Sequence, residues 1–126
     1  MKLAAMLLMS ALALTPGVAF AHGEAPKASH GGLVQEAQEF WIELVVSGTD
    51  VTVYVLDDAQ KPVPPSQVSG SATVLAGGKS YKVDLIPSSE NSVEGKLPVP
   101  AAGKMAAVVT LNVDGKSVSA RFTGAT

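Results

Sequence analysis

The chain contains no cysteine, which excludes a disulfide framework, thiolate nucleophiles and cysteine-based metal sites. Aromatic residues are few, and there is a single tryptophan, Trp41. Basic residues are scattered and form no run or patch, so nucleic acid is not an expected partner. Methionine is also scarce where it would matter. Met1, Met6 and Met9 fall in the first ten residues and only Met105 lies beyond them, which excludes a methionine-rich copper site in a processed chain. No helical period is visible after the first 21 residues.

What is present begins with an export signal. Lys2 supplies a positive start, and Leu3 to Leu14 form an apolar stretch broken only by Ser10. Thr15, Pro16 and Gly17 end it, and Ala19-Phe20-Ala21 offers a small-x-small site for signal peptidase. The stretch is shorter than the roughly 20 residues that span a bilayer, so no stable membrane insertion is expected after cleavage. Cleavage after Ala21 places the mature protein, His22 to Thr126, in the periplasm. Loss of Lys2 from the nine basic residues leaves eight against eleven acidic ones, a modest net negative charge. A chain of this length forms one domain and buries roughly two-thirds of its unfolded surface.

Residues 22–32, HGEAPKASHGG, carry no large apolar side chain and read as a flexible tail unless something ties them down. Residues 33–126 read as all-β. Strands are predicted over Leu33–Glu36, Phe40–Val46, Val51–Asp57, Ala72–Ala76, Ser80–Ile86, Ser92–Leu97, Met105–Val113 and Lys116–Phe122. In the second, Phe40, Ile42, Leu44 and Val46 share one face, with Trp41 and Glu43 on the other. Gly77-Gly78 and Asp114-Gly115 are hairpin signals, because a type I′ turn needs positive φ at both central positions. This pattern predicts a two-sheet antiparallel sandwich, immunoglobulin-like, of about seven to eight strands.

The only two histidines both fall in the tail. Cleavage after Ala21 would make His22 the N-terminus, where its amine and Nδ1 can close a six-membered chelate ring. His30 adds a second imidazole, and Glu24, Glu36 or Glu39 can supply a carboxylate. Nitrogen-rich donors with some oxygen suit Cu(II), then Ni(II) or Zn(II). Closing the intervening loop costs about 2 kcal/mol plus a constant. Deprotonating the amine costs about 1 kcal/mol at neutral pH. A micromolar site is worth about 8 kcal/mol, so ligation must outweigh both costs. Asp57-Asp58 reads as a turn pair, and Trp41 and Tyr54 as core or edge packing rather than a ligand platform.

His30-Gly31-Gly32-Leu33-Val34, Glu43-Leu44-Val45, Val53-Tyr54-Val55-Leu56-Asp57 and Lys61-Pro62-Val63 resemble the small β domain at the N-terminus of some heavy-metal efflux adaptors. These are the periplasmic adaptor subunits of cobalt–zinc–cadmium type RND pumps. Gly77-Gly78-Lys79, Asp84-Leu85-Ile86-Pro87 and Arg121-Phe122 fit the same style. The resemblance implies a periplasmic heavy-metal-resistance protein that binds or buffers a transition metal and can deliver it to an RND efflux adaptor. It carries over His30 alone as a ligand; His22 enters through the chelation argument. The helical hairpin and membrane-proximal parts of those adaptors have no counterpart here.

The competing expectation is a non-metal protein-interaction module of the periplasm that offers a strand edge to a partner. An enzyme is not expected. No nucleophile elbow or triad is present, and both histidines lie in the tail of a small domain.

Overall fold

A computed structural model describes residues 24–88 and 91–125. The leader expected over residues 1–21, its cleavage point and His22 lie outside the described residues. Eight strands follow in order: β1 Leu33–Ala37, β2 Phe40–Ser47, β3 Asp50–Leu56, β4 Val68–Ala76, β5 Lys79–Pro87, β6 Ser92–Lys96, β7 Lys104–Val113 and β8 Lys116–Ala125. A 3-10 turn, Pro65–Gln67, precedes β4. Among the described residues no helix is long and apolar enough to cross a membrane.

The strands form because β-branched residues alternate with polar ones and glycine-bearing turns punctuate them. Asp114 and Gly115 have φ of 49° and 83°, and Gly77 and Gly78 have 58° and 76°. Both hairpins therefore have the positive φ that type I′ turns require. β4 starts at Val68, four residues before the alternation becomes readable, because Gly70 occupies one of its positions without a side chain. A Cβ on Gly70 would lie 2.1 Å from the Thr110 carbonyl oxygen, so glycine lets β4 and β7 approach there.

All neighbouring strands pair antiparallel, in the order β1-β2-β3-β6-β5-β4-β7-β8. The sheet is continuous but uneven. β4 and β7 pair over nine residues, whereas β5 meets β6 only at Ile86–Glu94 and Pro87–Val93. The two outermost strands, β1 and β8, come back alongside each other. Gly124 packs under Leu33, Gln38 Nε2 donates to the Ser117 carbonyl at 3.0 Å, and Lys116 pairs with Glu39. The Glu39 carboxylate holds the exposed Lys116 ammonium above its ordinary pKa, first by the hydrogen bond and then by attraction. The result is a nearly closed barrel. The separate two-sheet, immunoglobulin-like sandwich is not established by this pairing, since one hydrogen-bonded order runs through all eight strands.

The inward face is dominated by valine. Ile42, Leu44, Val51, Val53, Val74, Val93, Val109, Val113, Val118 and Phe122 are essentially inaccessible. Each such side chain contributes on the order of 1.5–3 kcal/mol by leaving water. Leu97 and Ala101 plug one end, their amides donating to the Thr49 and Gly48 carbonyls of the β2–β3 turn at 2.8 and 3.0 Å.

Two glycine substitutions test this packing. Gly78→Ala places its Cβ in open space and should lose only the positive-φ term, about 1–2 kcal/mol. Gly70→Ala combines a φ of 151° with a backbone clash and should lose more, about 3 kcal/mol, read from urea midpoints. Equal losses would contradict the close β4–β7 approach.

Candidate functional site

Alternation along β2 sends Ile42 and Leu44 into the core and Trp41 and Glu43 to the outer face. The register lines Glu43 up with Val34 on β1 and Tyr54 on β3, and Trp41 with Glu36 and Leu56. An outward carboxylate should meet water. Instead Glu43 and Trp41 are only 8% and 6% exposed, because residues 24–32 lie over this face as a strap.

The strap is held by the His-Gly-Gly sequence, and each residue has a separate part. The Gly31 N–H closes a turn on the Ala28 carbonyl at 3.2 Å with φ of 73°, a conformation natural to glycine. That turn aims two backbone amides at one atom: His30 N and Gly32 N both donate to Glu43 Oε2 at 3.0 Å. Paired amides around a left-handed residue form a concave anion-binding nest, here filled by the chain's own carboxylate. Gly32 is pressed against β2, where a Cβ would come 2.4 Å from the Leu44 carbonyl oxygen. His30 Nδ1 meets Glu43 Oε1 at 2.9 Å, and its ring stacks on Tyr54 with centroids 3.6 Å apart and planes 2° from parallel.

This geometry selects a tautomer. A carboxylate that already accepts two amide N–H bonds can only accept from the imidazole, so the Nδ1 proton points at Glu43. In the neutral ring the lone pair then sits on Nε2. The His30 side chain remains 45% exposed despite the Glu43 contact and the stack on Tyr54.

The other expected ligands are placed differently. Glu24 is exposed, and its carbonyl accepts from Gln60 Nε2 at 3.1 Å, tying the strap to the turn after β3. Glu36 is exposed on the same outer face of β1, one rung from Glu43 and beside Trp41. Glu39 is engaged with Lys116 at the β1–β8 seam. Among the described residues no three of His, Asp and Glu converge as a metal site. Asp57 performs a turn role, its Oδ1 accepting from the Ala59 and Lys61 amides at 2.9 Å.

The residue that sequence reasoning did not single out is Glu43. Its signal is a lone carboxylate between Trp41-Ile42 and Leu44-Val45 in an otherwise apolar strand. Beneath the strap lies a cavity of about 110 Å³, walled by Pro26, Lys27, Val34, Trp41, Tyr54 and Leu56. Glu43→Ala removes the acceptor of the three bonds from His30 and Gly32, leaving the Gln60 bond to the Glu24 carbonyl. Stability should fall by about 1–3 kcal/mol. Trp41 emission should shift to the red as the strap lifts; unchanged emission would show that other contacts hold it. Protein-family models, curated proteins and solved structures offer no match to this chain.

Proposed function

We propose that this is a periplasmic protein that binds and buffers a transition metal, with His30 Nε2 as the ligand fixed by the fold. The supporting observation is the Glu43–His30 contact. Metal-binding imidazoles characteristically donate their second N–H to a carboxylate, which orients the ring and makes it a better donor. Here that outer partner is in place, buried, and held by two further hydrogen bonds.

His30 alone supplies one nitrogen. The remaining donors in this reading are the amine and imidazole of His22 once the leader is cleaved after Ala21, with Glu24 or Glu36 contributing oxygen. That set favours Cu(II) over Ni(II) and Zn(II). A half-exposed ligand suits a metal that must be handed on, and an RND-type efflux adaptor is the recipient we propose. We also infer that the barrel is flattened toward a two-layer, immunoglobulin-like shape. The two-residue β5–β6 pairing would be one corner and the β1–β8 seam the other.

Titration of the mature protein with Cu(II), Zn(II) and Ni(II), followed calorimetrically, tests the metal reading. Affinity should be about micromolar and strongest for Cu(II). His30→Ala should lower it at least tenfold, and Glu43→Gln by about 10- to 100-fold. Binding should weaken in acid, because metal ligands must be deprotonated to bind. Affinity indifferent to both substitutions would reject the site, and no uptake of any of the three metals would leave a non-metal interaction module.

A further inference from the structure

We propose that residues 24–32 are a metal-responsive strap, in which a cation on His30 tightens the Glu43 clasp and shuts the strap over the Trp41–Tyr54 cavity. The inference rests on the metal reading above and adds a conformational consequence to it.

The strap is built to open locally. Glu24, Ala25, Lys27 and Ser29 are exposed, and the segment adds no strand to the sheet. Its described anchors are three: the Glu43 clasp, the His30–Tyr54 stack and the Gln60 bond to the Glu24 carbonyl. Segments with so few buried contacts open far more readily than the barrel beneath them. Opening uncovers something specific: the Trp41 ring, 6% exposed with the strap in place, and the cavity it lines.

The clasp and the ligand are the same ring. A cation on Nε2 draws electron density from the imidazole and makes Nδ1–H a stronger donor to Glu43 Oε1. Strap closure in turn orients the ring and raises its basicity toward the cation. Coupling between two binding events is reciprocal, so the factor by which the clasp raises metal affinity is the factor by which metal favours closure. Outer partners of this kind are worth about 10- to 100-fold. Metal-free protein would therefore present the Trp41, Tyr54 and Leu56 face part of the time, and metal-loaded protein would hide it.

Lys27, exposed in the strap, gives a direct readout through tryptic cleavage of the Lys27–Ala28 bond in the mature protein, followed by mass spectrometry. Where reclosing outpaces cleavage, the rate tracks the open population. Saturating Cu(II) should slow this cut by about 10- to 100-fold, while a short peptide substrate is cut at an unchanged rate. In Glu43→Gln the metal effect should largely vanish. Gly32→Ala alters neither ligand nor clasp acceptor but crowds the Leu44 carbonyl. It should speed metal-free cleavage in proportion to the open population it adds, and weaken Cu(II) binding only as far as the closed fraction falls. Cu(II) binding without protection of Lys27 would overturn the strap while leaving the metal site standing. Protection that is equally strong in Glu43→Gln would assign the tether to other donors and also overturn it. Absence of Cu(II) binding removes the metal reading and this inference together.

Discussion

A carboxylate taken out of water must be given hydrogen bonds in return, and Glu43 receives all of the ones described from a single short segment. Its two oxygens accept from His30 N, Gly32 N and His30 Nδ1, and none of these donors belongs to a neighbouring strand. Left uncompensated, burial of such a group is strongly unfavourable. The strap and the carboxylate are therefore conditions of each other. Without the strap Glu43 would be an ordinary outward residue in water. Without Glu43 the strap would lose the contact that fixes its turn, the orientation of its imidazole and its position over Trp41.

The barrel makes that exchange possible by holding Glu43 still. β2 is paired on both sides, with β1 over five residues and with β3 over seven, so its pleat cannot rotate. Ile42 and Leu44, on either side of Glu43, are locked in the core. The same pleat that buries them sets Glu43 between Val34 and Tyr54, and Tyr54 provides the flat surface on which the His30 ring rests. Substitutions in the valine core would thus disturb the site through the strand that carries it, with no contact to the imidazole.

The strands were legible because period-two alternation and diglycine or Asp-Gly turns act locally. All eight predicted strands are present, and the two hairpin turns have the signs of φ their sequences demand. The start of β4 was not legible, since Gly70 offers no side chain to read. The curl of the sheet was not legible either. It depends on contacts such as Gly124 under Leu33, which are remote in sequence. His30 was visible as a candidate because histidine is rare in this chain. Glu43 was not, because alternation reports which face a residue takes and says nothing of what later covers that face. The tail's composition likewise hid the division of labour within His-Gly-Gly, which becomes apparent only when the turn and the close approach to Leu44 are placed against β2.

The position of the imidazole bears on the kind of metal site the proposal describes. Structural metal sites are closed shells whose ligands come from the fold and whose binding energy is folding energy. This barrel has a continuous buried core made entirely of its own side chains, on the opposite face of β2 from His30. In the proposed site the described residues contribute the His30 nitrogen from a half-exposed side chain, and no three described His, Asp or Glu residues converge around it, so the shell would be completed by donors brought to it from elsewhere in the chain, from solvent or from another protein. A site completed from outside can be taken apart from outside, one ligand at a time. Those are the properties required of a carrier whose metal passes to a receiving protein, and they are the reverse of those expected of a metal retained for stability.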